Sequence, residues 1–166
     1  MKLPETKIRE IEASALAVLQ DVREDDDISL PIDIKKILDK YNLSLKEGNF
    51  QDPNIAGAFD RDKGVIYLSK DDSPNRKQFT IAHEIGHLIL HEVKKEIFYR
   101  TQFLLPDKQT KLQEAEANWF AASLLMPRSL FVKYWDILQD EGAMARVFGV
   151  SVAAVHWRAK NLGLIG

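Results

Sequence analysis

The 166-residue sequence predicts an α+β fold, a small antiparallel sheet packed on a helical core with a helical C-terminal tail. Three observations carry this. Apolar residues recur at helical spacing before residue 40 and after residue 73, short and partly alternating runs cluster between residues 43 and 68, and turn-forming residues separate those runs. With 45% hydrophobic residues the chain is long enough for one sizeable core. We expect a first domain over residues 1–140 and a helix-turn-helix-like tail over 141–166, packed on it or appended to it.

The elements follow in order. Ile8, Ile11, Ala15, Val18, Leu19 and Val22 mark an amphipathic helix that ends at the acidic run Glu24-Asp25-Asp26-Asp27, read as a solvated loop. Ile32, Ile34, Ile37 and Leu38 suggest a short second helix entered after Pro31 and stopping near Asn42. Leu43–Lys46, Ala56–Phe59 and Val65–Leu68 read as strands, the last two forming a hairpin across Asp60–Gly64. Ser73-Pro74 supplies a capping hydroxyl followed by proline in the first turn, and no breaker interrupts the helix through Phe79, Ile81, Ile85, Leu88 and Ile89. A loop around Pro106-Asp107 leads to a helix from about Gln109 to Leu125, closed by Pro127. Further helices are expected over 129–139 and from Ala143 onward.

Composition narrows the chemistry. Lys and Arg number 23 against 25 Asp and Glu, a net charge of −2, which supplies no global attraction to nucleic acid or anionic membrane. Without cysteine there are no disulfides, and any transition-metal site must be built from His, Asp and Glu. The first residues lack the apolar core of a signal peptide and no apolar stretch is long enough to span a bilayer, so a cytoplasmic protein is expected.

His83-Glu84-Ile85-Gly86-His87 places two imidazoles about 40° apart and about 6 Å along one helix, where both reach a single ion. Glu84 flanks them, placed to act as general base on a water in the open coordination position. The bland alternative, two histidines on an exposed helix face, is weakened by the apolar residues on either side. The third ligand must come from a second element, and Glu114 is the best candidate, with Asn118 one turn later placed to hydrogen-bond a ligand histidine. Glu116, rotated by about 200° from Glu114, is expected to be exposed. His91 is set aside as a third ligand and read as complementing the helix dipole. One zinc ion per chain, held by His83, His87 and Glu114, is the expected cofactor.

Arg76–His91 and Glu114–Pro127, with the preceding hairpin, resemble the ImmA/IrrE family of metallopeptidases over about residues 30 to 130. The extended histidine motif, the Glu-x-x-Ala-Asn helix and the Leu124-Leu125-Met126-Pro127 ending carry the resemblance together. It implies a gluzincin-like fold, with His83, His87 and Glu114 on zinc and Glu84 catalytic. It also implies a substrate class: a helix-turn-helix transcriptional repressor in a prophage, mobile-element or stress-response circuit. No sensor-like domain of the radiation-response members is recognised in these residues.

Ala143–Arg158 reads as helix, turn at Gly149 and second helix capped by Ser151, with Arg146, Arg158 and Lys160 as local positive charge. DNA contact through this tail is possible, but the basic stripe is thin and a packing or partner-docking role is favoured, with Val155 and Trp157 turned back on the domain. An extended substrate is expected to pair with the strand Val65–Leu68, and Tyr67, Tyr99, Arg100 and His156 are unranked oxyanion candidates. The rival functions are a non-enzymatic repressor- or DNA-binding regulator with structural or absent zinc, and a zinc hydrolase acting on a small molecule.

Overall fold

A computed structural model describes residues 3–24, 27–92, 95–99 and 107–166. The middle of the acidic run and the loop expected before Asp107 lie outside the described residues, as do Arg100 and the side chain of Tyr99. The described elements run α1 (Glu5–Val22), α2 (Ile34–Lys40), β1 (Ser44–Gly48), β2 (Ile55–Asp60), β3 (Val65–Ser69), α3 (Pro74–Leu90), β4 (Lys95–Tyr99), α4 (Lys108–Leu125), α5 (Arg128–Leu138), α6 (Glu141–Phe148) and α7 (Val152–Asn161). No helix among the described residues is long and apolar enough to cross a membrane.

The α+β class holds, and the sheet is mixed. Its strand order is β1-β3-β2-β4, with β2 antiparallel to both β3 and β4 but β1 parallel to β3. The chain between β1 and β2 is not a tight hairpin, so β1 pairs with the second strand of the β2–β3 hairpin instead of the first. This overturns one expectation. Val65–Leu68 is not a free edge, because β3 is hydrogen-bonded on both sides, and the edges among the described strands are β1 and β4.

Local chemistry sets the helix that matters most. Ser73 Oγ accepts from the Arg76 N–H at the start of α3, Pro74 occupies the first turn, and every side chain from Thr80 to His87 is buried. The sheet covers one side of α3 through β2 and β3, and α4 packs on another. Two glycines let these partners come close. A Cβ at Gly57 would fall 2.4 Å from Thr80 Cγ2, and one at Gly86 would lie 3.1 Å from Phe120 Cδ1 and 3.2 Å from the Ala117 backbone.

Helix α4 lies between α3 and α1, and its buried residues run almost without a break from Ala117 to Leu125. Asp107 caps it, accepting from the Thr110 N–H at 2.8 Å. One apolar cluster joins Ile11, Ala15 and Val18 of α1 to Phe120 and Leu124 of α4, and extends to Phe148 of α6 and Val155 and Ala159 of α7. The turn between α6 and α7 is made by Gly149 at φ 64, with Ser151 Oγ accepting from the Ala154 N–H.

Candidate metal centre

Three fully buried ligand atoms converge where α3 crosses α4. His83 Nε2 and His87 Nε2 lie 3.0 Å apart, Glu114 Oε1 is 2.9 Å from His87 Nε2, and Glu114 Oε2 is 3.2 Å from His83 Nε2. A tetrahedral zinc with bonds of 2.0–2.2 Å holds its ligand atoms about 3.3 Å apart, and each of these separations, taken to one or other carboxylate oxygen, is within a few tenths of that.

The tautomers point the same way. His83 Nδ1 is 3.0 Å from Asn118 Oδ1, an acceptor, so Nδ1 carries the hydrogen and Nε2 the lone pair. On the other side, His87 Nδ1 meets His91 Nδ1 at 3.0 Å, and His91 Nε2 meets Glu116 Oε2 at 2.7 Å. The Glu116 carboxylate accepts from His91 Nε2–H, and His91 Nδ1 accepts from His87 Nδ1–H, which again leaves the lone pair on Nε2. Burial pulls the His91 pKa below its ordinary value, although its hydrogen bond to Glu116 acts in the opposite direction, and this matches a neutral ring. Two imidazole lone pairs and a carboxylate within 3.2 Å of one another repel unless a positive centre sits among them. These residues fit a metal ion.

Glu114 is prepared for that role. Burial raises its pKa, but the neighbouring His83 and His87 outweigh this and bring it down to about 2, so it is a carboxylate at neutral pH. Glu84 is fully buried on the sheet side of α3, its Oε1 3.7 Å from the point where a Gly57 Cβ would stand. The end of α3 is held by Arg61 from the β2–β3 turn, whose Nη2 donates to the carbonyls of His87, Leu88 and His91 at 3.3, 2.8 and 2.6 Å.

Several sequence expectations are corrected here. Glu116 is 7% exposed, not a surface residue, because α4 is covered by α3 on one side and by α1 on another, and a 200° rotation takes a side chain from one buried face to the other. His91 does more than complement the dipole: it is the extended C-cap of α3, and its side chain bridges His87 and Glu116. Arg61 carries no sequence signal beyond being a basic residue in a turn. Among the oxyanion candidates, Tyr67 alternates with the core residues Ile66 and Leu68, which puts it on the sheet face turned away from α3, and His156 pairs with Glu141 at 2.7 Å.

In the tail, Arg158 is withdrawn from the basic surface. It is fully buried, with Nη1 3.2 Å from Glu12 Oε1 and Nε donating to the Met126 carbonyl at 3.2 Å, while Arg146 and Lys160 remain exposed. Val155 is buried, and the Trp157 ring, 40% exposed, packs edge-on against Trp119 at 5.3 Å. The two tryptophans also line a groove of about 1330 Å³ between α1, the start of α3, α4 and α7. Of the residues around the converging ligands, only Asn118 borders it, so the groove is not the metal site.

Comparison with known proteins agrees with this geometry. The IrrE N-terminal-like domain, a peptidase family, matches residues 38–160. The radiation response metalloprotease IrrE of Deinococcus radiodurans is 32% identical over 80 residues, which is 46% of this chain and 24% of that protein. The chain thus spans about a quarter of the length of that relative. A Mycobacterium tuberculosis transcriptional regulator shares the fold with a TM-score of 0.62 at 17% identity, covering 90% of this chain and 50% of the other. From the match over residues 38–160, the chain belongs to the ImmA/IrrE metalloprotease family.

Proposed function

We propose that the protein is a zinc-dependent endopeptidase, with His83, His87 and Glu114 as the metal ligands and Glu84 as the general base. The observation that carries this reading is the convergence of two buried imidazole nitrogens and a buried carboxylate, within 3.2 Å of one another. When bound, zinc supplies the Lewis acidity that polarises a scissile carbonyl and lowers the pKa of water. The carboxylate of Glu84 takes a proton from the attacking water and delivers it to the leaving amine nitrogen. Its low-dielectric surroundings, under β2 and within α3, strengthen that exchange. Asn118 holds the ring of His83, and Arg61 holds the carbonyl end of the helix that carries both histidines.

A substrate strand would add to β4, which among the described residues is the edge strand beside β2, whose Gly57 adjoins Glu84. For the substrate we propose a helix-turn-helix repressor of a prophage, mobile-element or stress circuit, met in the cytoplasm. Residues 1–140 would form the peptidase domain and 141–166 a docking tail, a reading supported by the burial of Arg158 against Glu12. That burial also removes one of the three cations that DNA contact would use.

The test is Glu84→Gln, which keeps size and polarity but removes the base. Zinc content should stay at the wild-type level while cleavage of a peptide or repressor substrate falls at least about 100-fold. Uncut repressor bound tightly by both proteins would instead favour a non-enzymatic regulator, and turnover of simple amides or esters without peptides would favour a small-molecule hydrolase.

A further inference from the structure

We propose that His91 and Glu116 act together as a positioning pair that fixes the ring and tautomer of His87 for metal binding. This rests on the metal reading above and adds two residues to it.

Glu116 Oε2, 2.7 Å from His91 Nε2, can only accept as a carboxylate, so the one hydrogen of neutral His91 sits on Nε2. His91 Nδ1 is then an acceptor, 3.0 Å from His87 Nδ1, which must donate. His87 is left with its lone pair on Nε2, the atom 2.9 Å from Glu114. His91 and Glu116 are both buried, so water does not compete for these bonds. The two histidine ligands therefore have different supports: an amide for His83, and an imidazole backed by a carboxylate for His87. The second support spans more of the fold, because Glu116 Oε1 also lies 3.6 Å from Lys7 Nζ on α1. It depends on α3 ending where it does, since the extended backbone of His91 lets its side chain leave the helix and reach α4.

The pair is tested first in the wild-type protein loaded with zinc, by long-range proton–nitrogen NMR of the histidine rings. His91 should be neutral, with hydrogen on Nε2 and a pyridine-like Nδ1, whereas His83 and His87 should carry hydrogen on Nδ1. A His91 ring with hydrogen on Nδ1, or on both nitrogens, overturns the proposal without any variant.

The second arm measures zinc affinity by chelator competition, with the melting temperature of the metal-free protein recorded alongside. His91→Leu should lose about 10- to 100-fold in affinity, and His91→Asn, which keeps an acceptor near the Nδ1 position, should recover part of it. Glu116→Gln, whose amide oxygen can still accept from His91, should lose less than Glu116→Ala. Affinities within twofold of wild type in both His91 variants would overturn the pair while leaving the metal reading intact. No zinc uptake by the wild type would overturn the metal reading itself.

Discussion

Two clusters of buried ionisable side chains among the described residues are neutralised in opposite ways. At the α1–α7 junction, Arg158 sits beside Glu12, which also takes a bidentate pair from Arg128, and the Arg158 Nε is used by the Met126 carbonyl. Burial pulls the Arg158 pKa down to about 10, with Glu12 opposing the fall, so the group stays charged at neutral pH within a cluster that contains its own counter-charge. At the α3–α4 crossing the outer nitrogens are all matched, but the inner atoms are three Lewis bases facing one another. A cluster that holds its own counter-charge is structural, whereas a convergence of lone pairs fits an ion from outside.

That contrast can be sharpened by breaking each side in turn. The largest folding effect is expected at the closed cluster: Arg158→Ala should cost about 3 kcal/mol in denaturant unfolding of the metal-free protein and leave zinc affinity unchanged. A large loss of zinc affinity in that variant would show that the two regions are coupled. Gly86→Ala should give the reverse pattern. The methyl group gains about 1 kcal/mol of helix propensity but meets Phe120 and Ala117 at 3.1–3.2 Å, where overpacking costs about 1–3 kcal/mol. Stability should fall by no more than about 2 kcal/mol, while widening of the α3–α4 spacing moves Glu114 away and weakens zinc at least about tenfold in chelator competition.

The smallest effect is expected at the cap of α4, which anchors the helix bearing Glu114. Hydrogen bonds from the Thr110 backbone and hydroxyl hold the Asp107 pKa below its ordinary value of 3.8. A depressed carboxylate pKa means that its stabilisation is present above the unfolded value and lost as pH falls through the folded one. Wild type should therefore be modestly more stable than Asp107→Ala at neutral pH, and the two unfolding curves should converge in acid below about pH 4.

The parts of the fold that were legible in the sequence are those written in local chemistry. Ser73-Pro74 announces α3, helical spacing marks α1 and α4, and the pair His83 and His87 with Glu114 is readable because four-residue spacing and the absence of cysteine leave few ligand sets. What was not legible depends on partners distant in the chain. β4 offers only Ile97-Phe98-Tyr99 after a charged pair, and the parallel union of β1 with β3 is a choice between strands that look alike locally. The burial of Glu116 is not legible because a helix with two covered faces has no simple inside and outside. Arg158 looked like surface charge for a similar reason, since its partner Glu12 lies on the opposite end of the sequence.

The central claim is that the α3–α4 convergence holds a metal ion, and the most direct measurement is zinc per chain by elemental analysis after mild dialysis, in wild type and in Glu114→Ala. The account predicts about one zinc in wild type and marked loss in Glu114→Ala. Absence of zinc from both, even after it is added back, would contradict it.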